Sequence, residues 1–245
     1  MIYIILMHMT FNIIKMKYEC GPQKGTCYGP DILEKQFDYE RVHEIKAKNI
    51  RDNLGEGFMQ SLAVHDSKRF PLVIGSEPIN SISSIFASNT YCVKKGERLG
   101  VVWCSPVKED IFLYNNFMDN IVEILCGYKC PEFWFGTFLT RSQFIYYNAC
   151  GSNSKKNDNS NISELNDITF CLETYDKVHI VFDTTHVDDN NKSFYTYETL
   201  KKQFINIKKT KKMISLDIIG FNPIISRDTY EISNLVKLFL LYKNS

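Results

Sequence analysis

Short apolar runs of strand length alternate with amphipathic stretches from one end of this chain to the other, and that alternation constrains the fold more than any single motif. It predicts a mostly parallel sheet covered by helices on both faces. The strand-like runs are Phe11–Met16, Leu72–Ile74, Leu99–Trp103, Phe144–Tyr147, Val178–Phe182 and Met213–Ile219. Helices are expected over Asp31–Phe37, Asn53–Val64, Ile79–Ala87, Phe117–Cys126, Tyr197–Asn206 and Asp228–Tyr242. The first follows Gly29-Pro30, where proline suits a first helical turn and the next residue, Asp31, suits the positive end of the helix dipole.

A chain of 245 residues with 44% hydrophobic content can build one full core, and no internal repeat or linker divides it. A single α/β domain is therefore expected over 11–245, preceded by a leader segment over 1–10. Residues 151–161 (GSNSKKNDNSN) have no apolar side chain and read as a polar surface insertion. Lys and Arg (29) nearly cancel Asp and Glu (28), so no basic field is available to hold nucleic acid or an anionic membrane.

The apolar run in MIYIILMHMT lacks a basic flank and a cleavage site, and no stretch reaches the ~20 residues that spanning a bilayer requires. Eight cysteines without a CxxC pair read as reduced thiols, which implies a cytoplasmic protein. Cys126 and Cys130, four apart on an expected helix, read as small core residues rather than half of a metal site.

Four blocks, in order, resemble the arginase/agmatinase/formiminoglutamase family, the ureohydrolases. Phe11–Pro30 (FNIIKMKYECGPQKGTCYGP) is similar to that family's first strand and its G-Q-P-x-G-G…G-P loop. Phe70–Ile85 (FPLVIGSEPINSISSI) resembles the strand and turn of G-G-D-H-S, and Leu99–Asp110 (LGVVWCSPVKED) the approach to D-A-H-x-D. Val178–Asp189 (VHIVFDTTHVDD) and Met213–Pro223 (MISLDIIGFNP) resemble the D-x-D-x-x-D-P strand and the closing L-D-x-x-E-x-N-P strand. The resemblance implies a single-domain, arginase-like three-layer α/β/α sandwich with a central, mostly parallel sheet. Its site would lie at the carboxyl ends of the strands.

Family members hold two Mn²⁺ ions with two histidines and four aspartates, and a bridging hydroxide attacks a guanidinium carbon. Neighbouring dications need several carboxylates to neutralise them, and together they acidify the shared water. Carried over by motif position, the G-G-D-H-S histidine falls on Pro78, and the D-A-H-x-D ligands fall on Ser105, Val107 and Glu109. The D-x-D ligands fall on Asp183 and Thr185, so Glu109 and Asp183 are the surviving candidates; a one-residue slip would exchange Glu109 for Asp110. The glutamate that pairs with the guanidinium is replaced by Gly220, and a proton-shuttling histidine falls near Met118. Substrate contacts fall near Asn116 and Asn153.

The resemblance thus implies a pseudoenzyme that has lost its ancestral Mn²⁺ and serves as a binding or regulatory protein. Assembly with itself or with an active paralogue would follow the habit of its relatives. Two other readings stand beside it. One is a working hydrolase of amidine or guanidine C–N bonds, its metal rebuilt on Glu109 or Asp110, Asp183, His186 and Asp188. The other is a metal-free sensor of an amino acid or polyamine.

Structural readings accompany the remaining polar residues. Asp183 suits a hydrogen-bond acceptor at a strand end or a helix-terminus partner, and Asp188 and Asp189 suit a solvated loop. Glu77 suits the first turn of the following helix, while Asp217 and Asn222 suit backbone turns. Trp103 and Trp134 suit the core. No G-x-S-x-G elbow, Walker A loop or G-x-G-x-x-G fingerprint occurs.

Overall fold

The computed structural model describes residues 11–18, 25–37, 39–47, 49–77, 79–104, 143–147, 162–165, 173, 175–183, 205 and 209–223. Its centre is an eight-stranded sheet in which every neighbouring pair runs parallel. The strands are β1 (Phe11–Met16), β2 (Arg41–Ile45), β3 (Phe70–Gly75), β4 (Leu99–Cys104), β5 (Gln143–Tyr147), β6 (Ile162–Leu165), β7 (Lys177–Asp183) and β8 (Met213–Ile219). Their spatial order is β2-β1-β3-β8-β7-β4-β5-β6.

All six expected strands are present, two of them with the bounds read from sequence. β2 and β6 were not expected, and they occupy the two edges of the sheet. β2 reads RVHEI and only Ile45 is buried, so it lacks the apolar run that marks a strand covered on both faces.

Three helices lie within the described residues: α1 (Gly29–Glu34), α2 (Ile50–Asp66) and α3 (Asn80–Lys94). The helix α1 begins earlier than expected, with Pro30 inside its first turn, and follows a 3-10 turn over Thr26–Tyr28. Asn49 caps α2 by accepting a hydrogen bond from the Asp52 N–H at 2.9 Å, and its amide returns one to the Asp52 carboxylate at 2.8 Å.

α3 runs well past the expected end at Ala87. Glu97 N–H donates to Cys92 O and Gly96 N–H to Val93 O, a pair of bonds that closes the final turn. Of the three helices expected nearer the carboxyl terminus only Ile205, within Tyr197–Asn206, is described, and it is helical; the remainder, the leader and the 151–161 insertion lie outside the described residues.

α2 and α3 pack together on one face of the sheet. Leu54 and Phe58 of α2 meet Ile82, Ile85 and Phe86 of α3 over Val101, Val181 and Ile219 of the strands. Full burial of such side chains stabilises by about 1.5–3 kcal/mol each, which makes this the adhesive layer of the fold. On α3 most of the polar residues are buried too, and Ser83 returns its hydroxyl hydrogen to the carbonyl of Asn80 at 2.9 Å.

Candidate functional site at the carboxyl ends of the strands

The strand order places a crevice where the chain changes direction. From β3 it crosses to β4, builds outward through β5 and β6, and later returns to fill the gap with β7 and β8. The carboxyl ends of β3, β8, β7 and β4 therefore lie side by side at the mouth where open α/β sheets bind ligands.

Buried polar groups fix one side of that mouth. Ser76 N–H donates to Met16 O at 2.9 Å and the Ser76 hydroxyl donates to Tyr18 O at 2.5 Å, which ties the ends of β3 and β1. Asn80 Oδ1 accepts from Glu77 N–H at 2.9 Å, while its amide donates to Asn53 Oδ1 on α2 at 2.8 Å. Glu77 is itself buried, yet α3 starts at Asn80 with no acid in its first turn. The expected helical role of Glu77 is thus corrected: it stands in the strand-to-helix turn.

Gly220 follows β8 directly, at φ 76°, and its N–H donates to Gly75 O at 3.1 Å. An L-residue in that left-handed region carries a cost of about 1–2 kcal/mol, so the backbone here suits glycine. Beyond it, a Cβ added at Gly29 would lie 2.2 Å from Phe221 O, so the start of α1 rests on the segment after β8.

An ionic cluster lines the rim beside β1. Lys15 Nζ lies 2.9 Å from Asp31, 2.7 Å from Glu34 and 3.8 Å from Glu44, and Lys17 Nζ lies 2.6 Å from Asp31 and 3.7 Å from Glu44. Burial disfavours the Lys15 ammonium, but hydrogen bonds to Glu34 and Asp31 outweigh it and raise its pKa above the ordinary lysine value. Asp31 also meets a burial penalty, and Lys17 and Lys15 overcome it to hold the carboxyl below the usual range.

Of the site positions read from sequence, the structure brings two together. Asp183 is the last residue of β7 and pairs in register with Ile219, immediately before Gly220. Asp183 and Gly220 thus lie on adjacent strand ends. Pro78, Ser105, Val107, Glu109, Asp110, Asn116, Met118, Asn153, Thr185, His186, Asp188 and Asp189 lie outside the described residues.

Asp217 departs from its expected turn role. It sits within β8, fully buried, and accepts a hydrogen bond from the Ser84 hydroxyl of α3 through Oδ2. Its Oδ1 lies 3.1 Å from His179 Nε2 on β7, within ion-pair distance but off the line of a hydrogen bond. His179 Nδ1 is 2.8 Å from Ser88 Oγ, which is 3.0 Å from His65 Nε2 on α2. The His65 ring stacks on Tyr91, with centroids 4.8 Å apart.

Sequence reasoning did not single out this chain of groups. A histidine inside VHIVF, an acid inside SLDII and two serines one helical turn apart were its only signals. Next to it the register of β7 against β8 slips, Val178 pairing with Met213 and His179 with Ser215. Ile214 is left without an opposite partner.

The fold just described is that of the arginase, or ureohydrolase, class. No protein-family model matches the sequence, and no curated protein sequence matches it. Solved structures do: arginase from Bacillus subtilis superposes with a TM-score of 0.68 at 13% identity, over 96% of this chain and 98% of that one. Entamoeba histolytica arginase in complex with L-ornithine gives 0.66 at 15%, over 97% and 98%. A variant of Trypanosoma cruzi formiminoglutamase with Mn²⁺ gives 0.68 at 14%, over 95% and 91%. The resemblance read from four motif blocks is upheld as a shared fold across nearly the whole chain. Among the described residues, no helix is long and apolar enough to cross a membrane.

Proposed function

We propose that this chain is a non-catalytic protein on the arginase fold, a binding or regulatory module that does not hydrolyse arginine. The observation that carries the reading is Gly220: where the guanidinium-pairing acid of the class would stand, the chain has a residue without a side chain, at φ 76°. A buried guanidinium there would lack its counter-charge, and an isolated buried cation is strongly disfavoured. Restoring an acid would also strain the backbone.

The donor set argues in the same direction. At the six ligand-equivalent positions Pro78 and Val107 carry no side-chain donor, Ser105 and Thr185 carry neutral hydroxyls, and only Glu109 and Asp183 are carboxylates. Two carboxylates without an imidazole fit neither the charge nor the selectivity that a dinuclear manganese centre requires. The Trypanosoma cruzi neighbour holds Mn²⁺ and the Entamoeba histolytica neighbour holds ornithine. In this reading the surrounding sheet is kept and the dinuclear chemistry is gone.

Metal analysis beside a urea assay tests it. Protein dialysed against Mn²⁺ is expected to retain no stoichiometric metal and to release no urea from arginine. Two bound equivalents with urea release would overturn the reading.

Assembly with a second copy or with an active paralogue, in the cytoplasm, belongs to the same proposal, and mass measurement of the natively purified protein tests it. A small amino acid or polyamine is the corresponding ligand class. A ligand that binds the native state must raise apparent stability with concentration, so thermal shifts with ornithine, agmatine and putrescine are the assay.

A further inference from the structure

α2 and α3 end in the same way, with one difference. Past α3, Gly96 stands at φ 71°, its N–H donating to Val93 O at 3.0 Å and the Glu97 N–H to Cys92 O at 3.0 Å. Past α2, Lys68 stands at φ 59°, its N–H donating to His65 O at 2.9 Å and the Arg69 N–H to Val64 O at 3.1 Å. The two turns are one motif, and its left-handed residue is ordinarily glycine, because a side chain there crowds the backbone. Another left-handed residue, Lys211 at φ 55°, leads into β8 behind helical Lys209 and Thr210. The fold thus uses glycine at one such turn and lysine at two, at a cost to stability that glycine would escape.

The helix dipole does not account for the choice. A cation is favoured anywhere in a last turn, and α3 places Lys94 and Lys95 there on right-handed backbone while keeping Gly96. A cation on α2 could have been placed in the same way.

The sheet sets the two lysine turns side by side. Leu72 of β3 pairs with Leu216 of β8, so Lys68 and Lys212 each stand four residues before that rung, at the amino-terminal edge of the sheet. Neighbouring strands lie about 4.8 Å apart, so one short stretch of chain can reach both turns.

Lys68, Lys209 and Lys211 are exposed, and among the described residues no carboxylate pairs with them. Other cations of this edge are paired: Arg69 with Glu40 at 3.0 Å, Lys94 with Asp66 at 3.2 Å, Arg98 with Asp176 at 3.5 Å and Lys177 with Glu97 at 3.7 Å. Among the described residues, Glu173 ahead of β7 is the carboxylate left outside those pairs. A chain of net charge +1 therefore carries a local excess of ammonium groups, at the end of the sheet opposite the mouth.

We propose that this edge, at Lys68, Lys209 and Lys211, is a docking surface for an acidic segment of a partner protein. Charge complementarity selects the occupant. The unpaired cations are ammonium groups, which respond to charge without fixed geometry. Arg69 and Arg98, whose guanidinium forks would suit phosphate, are turned to Glu40 and Asp176. Carboxylates spread along the edge would repel a continuous run of phosphates, whereas a short acidic segment can lie across the two lysine turns alone. A partner held here leaves the mouth open, so the docking surface does not depend on whether the mouth is catalytic.

Fluorescence anisotropy of labelled hexaglutamate with the full chain at low salt is the test, beside a single-stranded oligonucleotide of equal charge. Hexaglutamate is expected to bind and to be released by added salt. Lys68→Gly/Lys211→Gly should weaken binding roughly tenfold and, by relieving the backbone, raise the midpoint of urea denaturation. Lys35→Ala/Lys46→Ala, which removes exposed lysines elsewhere, should leave binding unchanged. The proposal is overturned by any of five results: no binding to the unaltered chain, unchanged binding in the glycine variant, an equal loss in Lys35→Ala/Lys46→Ala, a lowered urea midpoint, or an oligonucleotide that binds as tightly as hexaglutamate. If the glycine variant does not fold, Lys68→Asn/Lys211→Asn, whose side chain tolerates the left-handed region, repeats the binding measurement with the same outcomes deciding.

Discussion

The rim cluster around Lys15 and the buried chain around His179 both join helix to sheet through polar groups, but they differ in their access to water. At the rim, two ammonium groups share three carboxylates; Lys15 is itself buried, but Lys17 and Asp31 keep 32% and 40% of their side chains exposed. Inside, one carboxylate, two histidines and two hydroxyls are almost wholly shielded. Exposed ions interchange partners with each other and with solvent at little cost, whereas a buried group that loses its partner has nothing to replace it. Redundancy should make the rim tolerant, and isolation should make the interior brittle.

The sharpest way to break that contrast is Asp217→Ala. It leaves the buried Ser84 hydroxyl without that acceptor and buried His179 without the carboxyl it faces, and is expected to cost about 3–5 kcal/mol in urea denaturation. A loss below about 1 kcal/mol would mean that the interior is as forgiving as the rim.

Acid titration separates the two regions next. The folded pKa of His65 is depressed, so its stability contribution is intact above about 6.5 and is lost as pH falls toward about 3. By pH 4 that amounts to about 3 kcal/mol. The Asp31 carboxyl, also lowered, begins to lose its contribution only as pH drops below its ordinary value of 3.8. A fall in stability between pH 6.5 and pH 4.5 that His65→Gln removes would assign that window to the interior.

Lys15→Met keeps the aliphatic stem and deletes the ammonium, leaving Lys17 to hold Asp31 and Glu44. The expected loss is about 1–2 kcal/mol at low salt, shrinking as salt is added, by the same denaturation assay. Smallest of all, Arg69→Ala removes an exposed pair with Glu40 at 3.0 Å and should move stability by no more than about 0.5 kcal/mol.

The same difference in surroundings explains what could be read from sequence. Strands such as FPLVIG and MISLDII lie inside the sheet, and apolar side chains on both faces announce them. Edge strands carry no such burden, and RVHEI gives no comparable signal. Helix ends depart from the sequence reading where the stop lies in backbone geometry, as in the closing turn of α3, or where a serine returns its hydrogen bond to the helix, as Ser83 does.

The site was legible as strand ends, because the motif blocks bracket them, and Asp183 and Gly220 do lie on neighbouring ends. The polar interior was not legible. Ser84 and Asp217 are 133 residues apart, and Ser88 and His179 are 91, so no local pattern links them.

The position of β8 carries a further consequence. Within the described sheet the trio β2-β1-β3 and the quartet β7-β4-β5-β6 are hydrogen-bonded to each other only through this strand, although it is the last of the eight to leave the ribosome. Until it inserts, two half-sheets must each wait with an unpaired inner edge, a template for wrong partners. Synthesis of this protein should therefore proceed with little finished structure and end in one late, concerted closure, a stage at which a chaperone would have most to protect.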